Sequence, residues 1–301
     1  MAVTTPTNRP SYGGDTKPFV WAGIALEIPS EWETGQLGDG YALLEYRFRP
    51  AMELKTARIR GRFSFPRHLK QLTRSGATPS PPPVKQTPPP SDWPDFQPEA
   101  EIASFSWQGD YIKGQGLLYY CRHCRRATLL QFYDPVRDVV PRVLSSFRDH
   151  GTPSGPTFAV YDIEATLPED YRLTRFAFNA GRFELVFNHA GAMVTLWRWS
   201  PADVLLARAK GHLPPIVHAN GLLPPGVAQD PGHPVQQGLE WRWQTNRWRN
   251  RLGRLKKTFV PPVNALRIWC RPKANRILAV RADGVAGWDV FDRICRSYGI
   301  V

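Results

Sequence analysis

Apolar and polar positions alternate in four runs of the second half of this chain, at 158–167, 173–178, 183–187 and 193–199. Asn179-Ala180-Gly181 and Asn188-His189-Ala190-Gly191 separate the later runs, and alternation broken by Asn/Gly turns predicts an antiparallel meander. Ser200-Pro201-Ala202-Asp203 then predicts a helix start, with Ser200 as the cap, Pro201 at the first helical position and Asp203 completing a capping box. In the first half, Phe65-Pro66-Arg67-His68-Leu69-Lys70-Gln71-Leu72 stands at the same place. An irregular proline-rich segment follows each middle helix, with nine prolines in 79–98 and six in 214–234. Three more strands and a terminal helix are expected after each. In the first half that helix starts at Asp134-Pro135, and Pro141 either kinks it or delays its beginning.

The halves echo one another in order. Ile28-Pro29-Ser30-Glu31-Trp32 matches Leu167-Pro168-Glu169-Asp170-Tyr171, Phe105-Ser106-Trp107 matches Trp241-Arg242-Trp243, and Tyr120-Cys121-Arg122 matches Trp269-Cys270-Arg271. The run 139–147 lines up with 290–298, apolar or small at the same places. Offsets of 139 (Pro29 to Pro168), 149 (Cys121 to Cys270) and 151 (Phe147 to Tyr298) describe one domain-sized unit used twice. Segregated strands with helices predict an α+β class: two tandem copies of an antiparallel sheet flanked by helices, an α/β/α sandwich related by a pseudo-two-fold axis. The expected organisation is a disordered leader at 1–16, a first repeat at 17–151 with an insertion at 77–98, and a second at 156–301 with an insertion at 212–236. A monomer packed as an internal pseudo-dimer follows from the short link 151–155.

The late strand pair with an arginine at its turn, Arg126-Ala127-Thr128-Leu129-Leu130, is followed by Val143-Leu144-Ser145-Ser146-Phe147; Arg276-Ile277-Leu278 and Ile294-Cys295-Arg296-Ser297-Tyr298 are their counterparts. These stretches resemble the PsbP/Mog1-like fold. The resemblance covers the last third of each copy and implies an antiparallel sheet sandwiched by helices, in a group made up mostly of non-catalytic accessory or binding proteins. No functional residue carries over from it.

Composition changes the picture in two places. Thirty prolines in 301 residues are about twice the usual share, and half of them sit in the two insertions. The formal charge of +13 is equally uneven: 237–281 holds twelve Lys/Arg against one acid, Glu240. Arg242, Arg247, Trp248, Arg249, Arg251, Arg254, Lys256 and Lys257 are therefore the candidate residues for an anionic partner. Arginine interleaved with tryptophan suits an acidic protein surface, and equally phosphate contact with base stacking on a single strand. The plain structural reading sets Trp241 and Trp243 in the core on one face of a strand, with Arg242 facing water. Residues 58–74, with six Lys/Arg and no acid, add to the basic character.

Cys121-Arg122-His123-Cys124 has the spacing of a zinc knuckle, which makes Cys121 and Cys124 candidate ligands. A structural site needs two more, and the sequence offers no second pair; buried or turn thiols are the plainer reading. His212, His218 and His233 share one insertion. Nucleotide, hydrolase and metalloprotease motifs are absent from the sequence, so no catalytic residue and no cofactor are expected. The longest apolar stretch near the start, 19–26, is too short to span a bilayer, and the expected compartment is the cytoplasm. The reading is a non-enzymatic binding or accessory protein that presents the basic surface of its second repeat to an acidic partner. The alternative is nucleic-acid binding through 241–257, and an enzyme of unknown class comes third.

Overall fold

Alternating and continuous apolar runs both become strands in this chain. The computed structural model describes residues 14–74, 84–96, 100–109, 113–149, 156–227, 230–236, 238–244 and 262–301, and it is 53% strand and 18% helix. The chain divides into two compact units, one of 1–151 with 158–162 and Val301, the other of 152–157 and 163–300.

The first unit opens with the hairpin β1 (Thr16–Trp21) and β2 (Ile24–Pro29). Next come β3 (Glu33–Gly38), β4 (Tyr41–Tyr46), β5 (Arg49–Arg58), α1 (Phe65–Arg74), β6 (Val84–Thr87), β7 (Ala100–Gln108), β8 (Lys113–Cys121) and β9 (Arg126–Tyr133). A short 3₁₀ stretch, Asp134–Val139, leads into α2 (Val140–Ser145). Seven strands form one antiparallel sheet in the order β3-β4-β5-β9-β8-β7-β6, closed by β5 against β9 from Met52↔Phe132 to Arg58↔Arg126. The later strand β10 (Thr157–Val160) pairs with β1 at Val20↔Ala159.

The second unit holds β11 (Ile163–Thr166), β12 (Arg172–Asn179), β13 (Arg182–His189), β14 (Ala192–Trp199), α3 (Ala202–Arg208) and α4 (Pro214–Ala219). It continues with β15 (His233–Val235), β16 (Gly238–Arg242), β17 (Pro262–Arg271), β18 (Arg276–Ala286), α5 (Trp288–Ser297) and β19 (Gly299–Ile300), which pairs with β11. Its seven-stranded sheet runs β12-β13-β14-β18-β17-β16-β15, so the two sheets share one strand order.

The expected α/β/α sandwich does not form. The protein is mostly β, with large antiparallel sheets and few helices. Length is the physical reason. A ten-residue helix such as α1 is about 15 Å long, whereas seven strands side by side are about 30 Å wide. Helices of six to ten residues therefore cannot layer these sheets. In the first sheet Phe105, Trp107, Leu118, Tyr120 and Leu129 pack against Phe65 and Leu69 of α1 and against Ile59 and Phe63 from the connection before it. In the second, Trp197, Trp199, Trp241, Leu266 and Ile268 pack against residues of α3 and α4 and against Leu222 and Leu223. The proline-rich segments are not wholly irregular, because each supplies an edge strand, β6 or β15.

Local hydrogen bonds repeat between the units. The Trp32 amide donates to Pro29 O and the Tyr171 amide to Pro168 O, both at 3.0 Å, and both aromatic side chains are buried. The Ser146 hydroxyl, just after α2, accepts from the Glu27 amide of β2 (2.8 Å) and donates to Val143 O. The Ser297 hydroxyl, at the end of α5, accepts from the Thr166 amide of β11 (3.1 Å) and bonds Thr166 O and Ile294 O, both at 2.9 Å. One serine thus ties each terminal helix to a strand. Pro141 delays the first of these helices, since the α-helical turn begins at Val140. Ser200 does not cap α3. Pro201 occupies the cap position, and the Asn275 Oδ1 accepts from the Asp203 amide at 2.9 Å instead.

Replacing Ser297 with alanine strands the Thr166 amide in a half-buried place and is expected to cost about 1–2 kcal/mol. At the more exposed Ser146 the same change is expected to cost under about 1 kcal/mol. Urea unfolding midpoints check both values.

Candidate functional site

Three elements of the second unit converge on Glu240, which is 1% exposed on β16. Arg242, two residues on and therefore on the same sheet face, reaches the Glu240 carboxylate at 2.6 Å. Arg267 lies directly across on β17, pairs with the same carboxylate and also bonds Asp292 of α5 at 2.6 Å. The Arg242 guanidinium stacks 4.1 Å from the ring centre of Trp288, and the Arg267 guanidinium lies 5.1 Å from that of Phe291. On β18, Arg281 forms a two-point pair with Asp283 (2.8 and 3.0 Å), donates to Leu222 O and lies over Trp243. Trp241 is fully buried, its indole N–H donating to Asp230 O at 2.8 Å.

Of the candidate residues for an anionic partner, Arg242 is therefore held by internal partners. Arg247, Trp248, Arg249, Arg251, Arg254, Lys256 and Lys257 lie outside the described residues. What the strands define is where that segment is inserted. It is the connection between β16 and β17 and spans 243–261, whereas the corresponding connection between β7 and β8 in the first unit spans only 109–112. Residues 243–261 carry six Lys/Arg and no acid.

The cysteine turn belongs to the first unit. Cys121 ends β8, residues 122–125 turn, and Arg126 starts β9. Tyr119 and Cys121 share one face of β8, and Tyr119 packs edge-on against Phe147 at 4.9 Å. Asp149 follows two residues later, 6% exposed, and its carboxylate lies 3.9 Å from the Cys124 sulfur. Burial first, then the side chains of Cys124 and Asp149, push the Cys121 thiol up to about 11 against the lowering effect of a backbone hydrogen bond from Cys124. Burial and then the Asp149 charge push the Tyr119 phenol well above its ordinary value. A cavity of about 350 Å³ opens beside Tyr119 and Asp149, lined also by Asp95, Phe96, Ser145 and Arg148. No sequence signal short of the fold connects Asp149 with the cysteines, because the terminal helix intervenes.

A second polar cluster also escaped sequence reading. Glu53 and Lys55, both 8% exposed on β5, form an ion pair of 3.2 Å, and burial followed by the Glu53 charge pushes the Tyr41 phenol up to about 12. A cavity of about 410 Å³ in the same unit is lined by Lys85, Trp107, Lys113, Tyr133 and Arg137 among others, with Lys113 paired to Asp134 at 3.0 Å. His218 lies in α4 and His233 in β15 with its ring 4.0 Å from Asp230; neither joins a metal-ligating set among the described residues. No helix among the described residues is long and apolar enough to cross a membrane. No protein-family model matches this chain, and no curated protein matches it.

Glu240→Gln removes the charge that two arginines share in a dry site, leaving the Arg267 cation with Asp292 alone. The expected loss is about 3–5 kcal/mol of unfolding free energy, read from denaturant titration.

Proposed function

We propose that this chain is a binding protein that presents the 243–261 connection of its second unit to an acidic protein partner. One observation carries the reading: equivalent places on two sheets of the same strand order hold connections of very different length and charge. The short one, 109–112, is long enough to join two neighbouring strands, so the scaffold does not require the longer one. The arginines on the strands around it, Arg242, Arg267 and Arg281, are already matched by Glu240, Asp292 and Asp283. The six Lys/Arg of 243–261 have no acid in their own segment, and an acidic surface is the partner that complements such a charge. Trp248, between Arg247 and Arg249, adds the residue types in which binding hot spots are enriched.

Nucleic acid is the competing reading, favoured by the same Arg-Trp-Arg run. Anisotropy with labelled poly-L-glutamate and with a single-stranded DNA oligomer, at roughly 50 and 200 mM salt, separates the two. The proposal predicts salt-sensitive binding to polyglutamate that is tighter than binding to DNA, and a loss of about tenfold or more in Arg247→Ser/Arg249→Ser/Arg251→Ser. Tighter DNA binding, with a salt slope reduced by roughly 2–3 in that variant, replaces the proposal with the nucleic-acid reading. Binding to neither probe at the lower salt overturns both.

A further inference from the structure

We infer that Cys121, Cys124 and Asp149 form a binding site for a zinc-class divalent cation in the first unit. Among the described residues these are the one set of three metal-ligating side chains whose donor atoms all lie within 4.8 Å of one another. Donors at opposite corners of a tetrahedral site with zinc bond lengths stand about 3.4–3.8 Å apart. The Cys124 sulfur and the Asp149 carboxylate are already at 3.9 Å, so closing the set around an ion asks for movements of under about 1 Å.

The three donors are held by different parts of the fold. Cys121 is fixed by the last residue pair of the β8–β9 ladder, Cys121↔Arg126. Cys124 sits three residues on in the tight turn, where Arg125 takes a left-handed backbone conformation at φ 56° and returns the chain to β9. Asp149 is anchored by its neighbour, because Arg148 exchanges two backbone hydrogen bonds with Ala25 of β2 (3.0 and 2.9 Å). His123, between the two cysteines, is exposed and stands outside the set.

Two sulfurs and one carboxylate oxygen select a borderline-soft ion such as zinc over magnesium or calcium, which take oxygen ligands. Binding would deprotonate both thiols, with the two protons released to solvent. The described residues supply three donors, which leaves a fourth position of a tetrahedral ion for a further ligand. The cavity lined by Asp149, Tyr119, Ser145 and Arg148 gives such a ligand room.

The second unit shows that the scaffold does not need this set. There the last pair of the corresponding ladder is Arg271↔Arg276, Cys270 lies one position earlier, the turn Pro272-Lys273-Ala274-Asn275 holds no cysteine, and the residues after Tyr298 are Gly299-Ile300. The strand pair and the terminal helix form all the same. Cys124 and Asp149 are thus additions peculiar to the first unit.

Cobalt(II) titration of the reduced, chelator-treated full chain, followed by zinc displacement, tests the site. One cobalt per chain is expected, with thiolate-to-cobalt absorption in the near ultraviolet and tetrahedral visible bands that zinc abolishes. Cys124→Ser and Asp149→Asn should each weaken zinc by on the order of tenfold or more, while Cys270→Ser leaves affinity unchanged. Zinc should also raise the unfolding temperature of the parent and of Cys270→Ser, but not of Cys121→Ser/Cys124→Ser, which separates lost binding from lost folding. The proposal fails if cobalt gives no thiolate band, or if zinc binds the double cysteine variant as tightly as the parent. It fails equally if a folded Asp149→Asn binds zinc at full strength.

Discussion

Glu240 carries a charge in a place almost closed to water, and that costs several kcal/mol unless opposite charge and hydrogen bonds surround it. Arg242 on its own strand and Arg267 on the next supply both, and Arg267 extends the link to Asp292 on the terminal helix. The arrangement ties β16, β17 and α5 through one side chain. It also decides what the second unit's basic composition means. Arginines that neutralise a buried carboxylate are part of the fold, and the connection that Glu240's strand leads into, 243–261, carries six more Lys/Arg with no acid of its own.

The same division between scaffold and addition runs through the first unit. Ser146 and Ser297, and the turns that end in Trp32 and Tyr171, do one job in both sheets. Cys124 and Asp149 do no such shared job, and neither do the charges of 243–261. Each unit therefore carries its own distinguishing group on a common strand order: a compact set of metal-type donors in one, a cationic connection in the other.

What could be read from sequence follows from how local each interaction is. The Pro-aromatic turns were legible because a single hydrogen bond within three residues sets them; the two serines align in sequence, but their bonds to Glu27 and Thr166, at separations of 119 and 131 residues, do not show there. The alternation around Trp241 likewise placed that indole in the core. Helix content was misread, since capping signals such as Ser200-Pro201-Ala202-Asp203 locate a start but say nothing of how wide a sheet the helix must cover. The true cap of α3 comes from Asn275, far along the chain. The CxxC turn was visible, but its third donor was not: Asp149 comes after α2, beside Arg148, which pairs with Ala25 of β2, and no local pattern links it to the cysteines. Edge strands inside the proline-rich segments were hidden for a similar reason. Their strand character lies in the partners β7 and β16 more than in their own residues.

If the second unit binds an acidic partner through 243–261, it does so through a segment its scaffold does not need. Exchanging 243–261 for the short 109–112 connection tests this most directly, with thermal unfolding and polyglutamate affinity measured on the same preparation. A folded chain with cooperative unfolding that no longer binds the acidic probe is the expected result. A chain that folds and keeps its affinity, or one that cannot fold without the segment, contradicts it.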